Sequence, residues 1–286
     1  YQLKKRAKDR NLDFLCTPFD NESLKFLTSD LKLDTIKISS GDITNAPLLI
    51  NSAKLAKHII LSTGVSNTEE VGKAISALLF GFLNCQGFPT ETIFESLLKS
   101  PKNKKIIKNK LTLLHCTSEY PAPFEDLNLN AINTLSEKFS TRVGFSDHSE
   151  GIIASLGAIS LGAEVIEKHF TLDKNLKGPD HKASLEPNEF KNMVDAIRTL
   201  EKTFGTGIKI PKKSELKNKN IIRKFVVAKN SIKKGDIFTS KNLTVKRSGK
   251  GINPFNIWKI YGLKSDRDYL VDDIIKLKNY EKLEKN

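Results

Sequence analysis

Two histidines follow two consecutive strand-like runs in the second half of the chain. Residues 142–148 and 165–171 alternate polar or small with apolar side chains, and a small-residue helical stretch, 152–161, separates them. The three segments together predict one βαβ unit. Because parallel strands lie about 4.8 Å apart, equivalent strand ends bring His148 and His169 within reach of one metal ion. Spacing alone leaves open a second interpretation, in which both are ordinary histidines at strand ends.

Small and polar side chains share one face of each of these runs. They are Gly144, Ser146 and His148 in the first run and Glu167, His169 and Thr171 in the second. Barrel interiors are normally filled by branched aliphatic residues, so this pattern predicts a pocket where the strands end.

Strand-like runs begin near residues 13, 35, 58, 111, 142 and 165, and helical segments lie between them. This α/β alternation fits either an open doubly wound sheet of six strands or a (β/α)₈ barrel without its first two βα units. No GxGxxG pattern follows the first run, which weakens the dinucleotide-binding version of the open sheet. Residues 79–110 are too long for an ordinary connection, and we expect helical turns there.

The chain changes character after the last strand-like run. A helix is predicted over 187–204, and a basic, proline-containing linker over 208–220. From residue 221 onward short β-like runs alternate with turns, which predicts a small all-β module. The predicted organisation is therefore a domain over 1–207, the linker 208–220 and a second domain over 221–286.

Composition excludes several classes of protein. The formal net charge is +14, but the lysines are scattered and accompany no nucleic-acid motif, so we expect anionic small substrates and no nucleic acid. No apolar run approaches the length of about 20 residues that spans a bilayer, and no signal segment opens the chain, so we expect a cytoplasmic protein without membrane contact. Three cysteines without CxxC spacing argue against disulfides and structural zinc.

Polar residues also end the other strand-like runs. They are Lys37 and Ser39, then Thr63, then Ser118 and Tyr120, and then Ser146. Hydroxyls, a lysine and helix N-termini together suit a phosphate group, although each residue alone is typical of a turn. Asp180 lies in the loop after the second histidine run, where it either accepts hydrogen bonds from a polyol or amide or forms a turn. The three other histidines, His58, His115 and His181, are interpreted as structural or loop residues.

Seven stretches of the chain resemble one family, the sialic acid synthases. They are KISSGD at 37–42, LSTG at 61–64, LHCTSEYP at 114–121, GFSDH at 144–148, EKHFT at 167–171, GPDHKASLEP at 178–187 and VKRSG at 245–249. They follow the family order over nearly the whole chain, and the family includes the synthases of N-acetylneuraminic, legionaminic and pseudaminic acids.

The resemblance implies a (β/α)₈ barrel, a C-terminal β-rich SAF (antifreeze-like) domain and a domain-swapped homodimer. It implies condensation of phosphoenolpyruvate with an N-acetylated amino-sugar aldehyde, either N-acetylmannosamine or a 2,4-diacetamido-6-deoxy analogue, to a nine-carbon 2-keto sugar acid. It also implies Mn²⁺ or Mg²⁺ on His148 and His169. The implied phosphoenolpyruvate contacts are Lys37, Ser39, Thr63, Ser118, Tyr120 and Ser146. Asp180 corresponds to a sugar contact, and Arg247 to an arginine inserted into the partner's site.

The chain departs from the family pattern in two ways. The family's first two βα units, including a glutamate near the sugar aldehyde, have no counterpart before Tyr1, and Ser248 replaces the usual proline. A truncated, inactive chain that acts only as a binding or SAF-domain module is therefore the alternative interpretation. The insertion at 79–110 is compatible with the legionaminate branch.

Overall fold

Five parallel strands form the sheet of the first of two compact units, which divide between residues 204 and 205. In the computed structural model, which describes residues 1–277, the strands follow one another in chain order across the sheet. They are β1 (Thr35–Ile38), β2 (His58–Ser62), β3 (Leu111–Cys116), β4 (Arg142–Asp147) and β5 (Ile166–Lys168). Helices connect the strands, as parallel pairing requires.

Nine α-helices belong to the first unit. They are α1 (Gln2–Asp9), α2 (Asn21–Lys25), α3 (Ala46–Leu55), α4 (Thr68–Phe82), α5 (Glu91–Lys99), α6 (Lys104–Lys110), α7 (Ala131–Phe139), α8 (Ile153–Ser160) and α9 (Pro187–Glu201). Helices α5 and α6 confirm the expectation of helical turns in residues 79–110. No helix within residues 1–277 combines the length and the apolar character needed to cross a membrane.

One face of the sheet is apolar and forms the main core. Ile38 pairs in register with Leu61, which pairs with Leu113, which pairs with Val143, so apolar residues form a continuous row across four strands. These side chains are buried in one cluster with residues of α3, α4 and α7. The other face holds Lys37, Gly144 and Ser146, because successive side chains alternate.

The strand predicted over residues 13–17 was wrong, and so was the count of six strands. These residues have no regular secondary structure, although Phe14 and Cys16 pack against the core as partly buried side chains. Within the described part of the chain, β1 pairs with β2 alone, so the segment has no backbone ladder. Its apolar spacing reflected packing against the core and not hydrogen bonding to a neighbouring strand.

The predicted linker over 208–220 and the predicted all-β module from residue 221 onward both contain helical structure. A helix, α10 (Lys213–Ile222), occupies much of the predicted linker, since Glu, Leu and Lys favour a helix once Pro211 has passed. An antiparallel pair follows, β6 (Phe225–Ala228) with β7 (Leu243–Lys246), together with one helical turn, α11 (Ile257–Ile260). The unit has its own apolar core. Residues 278–286 of the predicted SAF domain lie outside the described residues.

Helix α4 shows how local sequence places the first unit's helices. Asn67 and Glu70 form a capping box at its start, with Asn67 accepting from the backbone N–H of Glu70 and Glu70 accepting from that of Asn67. Near its end, Gly81 approaches α3 so closely that an added Cβ would lie 2.4 Å from Ile50 O and 2.7 Å from Ala53 Cβ. The absence of a side chain at Gly81 therefore permits this helix contact.

Replacing Gly81 with alanine is expected to lower the free energy of unfolding by about 1–3 kcal/mol, because the backbone at Ile50 cannot move aside cheaply. The matched control is Gly72→Ala in the same helix, where the nearest atom is the flexible Leu98 Cδ2 at 3.2 Å. Urea unfolding followed by circular dichroism measures both. Equal stabilities for the two variants would contradict this account of the contact.

Candidate active site

The two predicted histidines lie together at the carboxyl ends of β4 and β5. Asp147 and Lys168 are register partners, and His148 and His169 directly follow them. The imidazole centroids are 5.3 Å apart, and the rings are nearly perpendicular, at 84°. The predicted convergence of the two side chains is therefore present in the structure.

His148 is held as a neutral imidazole with one fixed tautomer. Its Nδ1–H donates to the carbonyl oxygen of Thr117 at 2.7 Å, which leaves Nε2 with a lone pair. Burial is the main cause that lowers the pKa of His148 below its ordinary value of 6.5. The Thr117 carbonyl thus fixes the tautomer of His148, as backbone carbonyl partners do for metal-ligating histidines.

Ser146 lies between His148 and Glu167. Its hydroxyl oxygen is 2.7 Å from Glu167 Oε1, to which it donates, and 3.2 Å from His148 Nε2. A serine hydroxyl has one proton, and Ser146 donates it to Glu167. The lone pair of His148 Nε2 therefore accepts no hydrogen bond from Ser146. An imidazole lone pair next to a carboxylate suits a cation.

Lys37 reaches the same carboxylate from the opposite edge of the sheet. Its Nζ lies 3.3 Å from Glu167 Oε2, although β1 and β5 are separated by three strands. In a flat sheet the two strands would be about 19 Å apart, too far for this pair, so the sheet must curl toward a barrel. Glu167 was not among the predicted site residues, although the alternation that put it on the face of His169 was a usable signal.

Tyr120 covers the two histidines. Its ring centroid lies 4.2 Å from that of His148 and 5.4 Å from that of His169. Burial, followed by the nearby Cys116 and carboxylates, raises the pKa of Tyr120 above 10, so the side chain remains a phenol. It can therefore donate a hydrogen bond at neutral pH.

The predicted hydroxyls are arranged less uniformly. Ser39 donates to Asp42 at 3.3 Å, and Thr63 donates to the carbonyl oxygen of Leu114 at 3.0 Å, so in this arrangement Thr63 has no proton for an anion. Ser118 is exposed and lies next to Gly64, where an added Cβ would be 2.2 Å from its Oγ.

Ser40 was missed by the sequence analysis. Its oxygen accepts from the backbone N–H of Gly64 at 3.0 Å and lies 3.1 Å from Cys116 Sγ. Two serines run together in the 37–42 stretch, and alternation favoured the first of them. Only the turn after β1 shows that the second serine contacts the end of β2.

Asp180, His181 and Arg247 all lie among the described residues. Asp180 is exposed, with Oδ2 at 3.7 Å from His169 Nδ1. His181 contacts Thr171 at 2.7 Å, in keeping with its interpretation as a loop residue. Arg247 belongs to the second unit, where it directly follows β7 and is exposed.

The side chains fit a divalent cation that has few protein ligands. Within residues 1–277 there is no group of three or more His, Cys, Asp and Glu side chains with metal-site spacing. The two imidazoles, one of them with a fixed tautomer, nevertheless provide nitrogen ligands close together. A cation held there would take its other ligands from water and substrate oxygens, as Mn²⁺ and Mg²⁺ do.

A five-stranded parallel sheet that curls, with its polar site at the carboxyl ends of the strands, defines an α/β enzyme of barrel type. The chain belongs to the NeuB family, which it matches over residues 1–209.

Two relatives carry the name of the same sugar acid synthase. The N,N'-diacetyllegionaminic acid synthase of Campylobacter jejuni is 47% identical and aligns over 96% of this chain and 75% of its own length. The corresponding Legionella pneumophila synthase is 38% identical over 92% of this chain and 67% of its own length. Among solved structures, the N-acetylneuraminic acid synthetase of Leptospira borgpetersenii, in complex with citrate, superimposes with a TM-score of 0.62. It is 35% identical, and the match covers 76% of this chain and 67% of that one.

His115 is structural, since its Nε2–H donates to the carbonyl oxygen of Leu127 at 2.7 Å and its ring stacks on Phe145. Burial lowers the pKa of His115 and of His58 below 6.5. Below pH 6.5 the unfolded chain therefore binds protons that the folded chain does not. The contribution of these two histidines to the free energy of unfolding is complete above that pH and is lost as the pH falls.

The free energy of unfolding is accordingly expected to fall between about pH 7.5 and pH 5.5. His115→Gln should reduce the slope of this decline, because glutamine does not titrate. Urea unfolding at several pH values measures both slopes. A variant slope equal to that of the wild type would show that His115 is not the titrating group.

Proposed function

We propose that this protein condenses phosphoenolpyruvate with an N-acetylated amino-sugar aldehyde, forming a nine-carbon 2-keto sugar acid and releasing phosphate. The observation that carries the proposal is the juxtaposition of His148 and His169 with the Lys37–Glu167 pair at the strand ends. A cation site next to a lysine is what an anionic enol ester and an aldehyde require. The 47% identity to a legionaminic acid synthase favours a 2,4-diacetamido-6-deoxy sugar over N-acetylmannosamine.

His148 and His169 would hold Mn²⁺ or Mg²⁺ through their ring nitrogens. When bound, such a cation supplies Lewis-acid polarisation of the aldehyde oxygen. The Thr117 carbonyl keeps the proton of His148 on Nδ1, so that Nε2 carries the lone pair that would bind the cation.

Lys37 would bind the negative charge of phosphoenolpyruvate. Its side chain is only 13% exposed and its ammonium group has Glu167 as its ion-pair partner, so it is held in one place before substrate arrives. Ser118 and Tyr120 would add hydrogen bonds, and Asp180 would accept from the sugar. Carbon 3 of phosphoenolpyruvate then forms the new bond to the aldehyde carbon, water adds at carbon 2, and phosphate leaves.

The family resemblance also motivates a homodimer in which Arg247 enters the partner's site. Arg247 is an exposed cation at the end of β7, which suits contact with an anionic substrate. Sedimentation measures the oligomeric state.

The direct test is phosphate release from phosphoenolpyruvate with each sugar in turn, with the keto acid identified by mass spectrometry. We expect turnover in the presence of Mn²⁺, faster with the diacetamido sugar. His148→Ala and His169→Ala should abolish it, while His115→Gln should retain it because the hydrogen bond and the ring contact of His115 are to Leu127 and Phe145. Metal binding without turnover on either sugar would instead favour a binding module, and wild-type turnover in either alanine variant would refute the metal assignment.

Lys37→Met is expected to raise KM for phosphoenolpyruvate about 10- to 100-fold, because a charge-assisted contact to the substrate is lost. KM for the sugar should change much less. Lys57→Met is the control, since it breaks the exposed Lys57–Asp34 pair away from the site. Steady-state kinetics with each substrate varied separately measures both constants. An unchanged KM for phosphoenolpyruvate would remove Lys37 from the binding role.

A further inference from the structure

A buried ion pair lies on the other face of β4 and β5 from Ser146 and Glu167. Lys168 Nζ is 3.2 Å from Asp147 Oδ2, and the two side chains are 1% and 0% exposed. The two residues are register partners, and each directly precedes one of the site histidines. The pair therefore joins the two strands at the position next to the imidazoles.

The groups around this pair fix the backbone on both sides of His148. Asp147 Oδ1 accepts from the N–H and the hydroxyl of Ser149 at 2.9 and 2.6 Å, and Oδ2 accepts from the hydroxyl of Ser155 at 2.6 Å. Lys168 also donates to the carbonyl oxygen of Ser149. One carboxylate and one ammonium group thus tie β4, the turn after it, helix α8 and β5 together.

Stability alone is a poor explanation for such a pair. Removing two charges from water offsets much of their mutual attraction, and apolar residues of similar size often stabilise a fold equally well. What apolar residues cannot reproduce is the set of directional contacts to Ser149 and Ser155. These contacts restrict the geometry of the chain at His148 and His169.

We propose that Asp147 and Lys168 are positioning residues that hold the imidazoles of His148 and His169 in the arrangement that binds one divalent cation. The inference rests on the proposed function, which assigns both histidines to that cation. Neither residue contacts substrate, since both side chains are buried on the opposite face of the strands.

The test is the double variant Asp147→Asn/Lys168→Met, studied in the full 286-residue chain. Because both charges are removed, no unpaired buried charge remains, and the urea midpoint should stay close to that of the wild type. Mn²⁺ affinity, titrated by electron paramagnetic resonance, should fall about 10- to 100-fold. In the metal-free protein, nuclear Overhauser effects between the ring protons of the two histidines should weaken. A double variant that binds Mn²⁺ as tightly as the wild type, with unchanged ring contacts, would overturn the proposal.

The matched control is Lys174→Met, which breaks the neighbouring but partly exposed Lys174–Glu189 pair. It should change neither Mn²⁺ affinity nor the contacts between the rings, and equal losses in the control would also overturn the proposal. If the double variant does not fold, Ser155→Ala tests the positioning role in its place, because it removes one hydrogen-bond donor to Asp147 and keeps both charges of the pair. A measurable loss of affinity and ring contact supports the positioning role, and wild-type values contradict it.

Failure of this inference differs from failure of the proposed function. If the wild-type chain binds no Mn²⁺, the metal assignment is wrong, and the ring contacts in the metal-free protein then decide the positioning role alone. If the wild type binds Mn²⁺ and the double variant binds it equally, the metal assignment stands and the positioning role is rejected.

Discussion

The register between β4 and β5 is the constraint on which the site depends. It places Ser146 opposite Glu167 and Asp147 opposite Lys168, so that one face carries the polar site and the other carries a buried ion pair. Because side chains alternate with a period of exactly two, a slip of one residue would exchange the two faces. His148 and His169 are neighbours only in the observed register.

Curvature of the sheet is the second requirement. Glu167 at one edge meets Lys37 at the other, a contact that a flat five-stranded sheet does not allow. The carboxylate then lies beside Ser146, and through it beside His148. Negative charge, a lysine and two imidazoles are thereby collected in a partly buried space, where electrostatic interactions are stronger than in water. This combination suits a reaction between an anion and a polarised aldehyde.

Secondary structure was predictable where periodicity and strong boundaries agreed. β1 to β4 begin where the alternation predicted, and α4 begins at its capping box. The prediction of a strand over residues 13–17 was wrong because an alternating run also arises when a segment packs on a core without a strand to pair with. The helix within residues 208–220 was hidden by basic composition, which does not distinguish a linker from an exposed helix.

By itself the sequence determined which groups the site has, since the histidines, Lys37 and the strand-end hydroxyls stand where strands of fixed period end. The order of the seven motif stretches determined the family as well, because these motifs together are specific to the sialic acid synthases. Only the tertiary structure decided which groups meet. Glu167, Ser40 and the Asp147–Lys168 pair acquire their partners through strand register, sheet curvature and burial, and these are long-range properties that local periodicity does not carry.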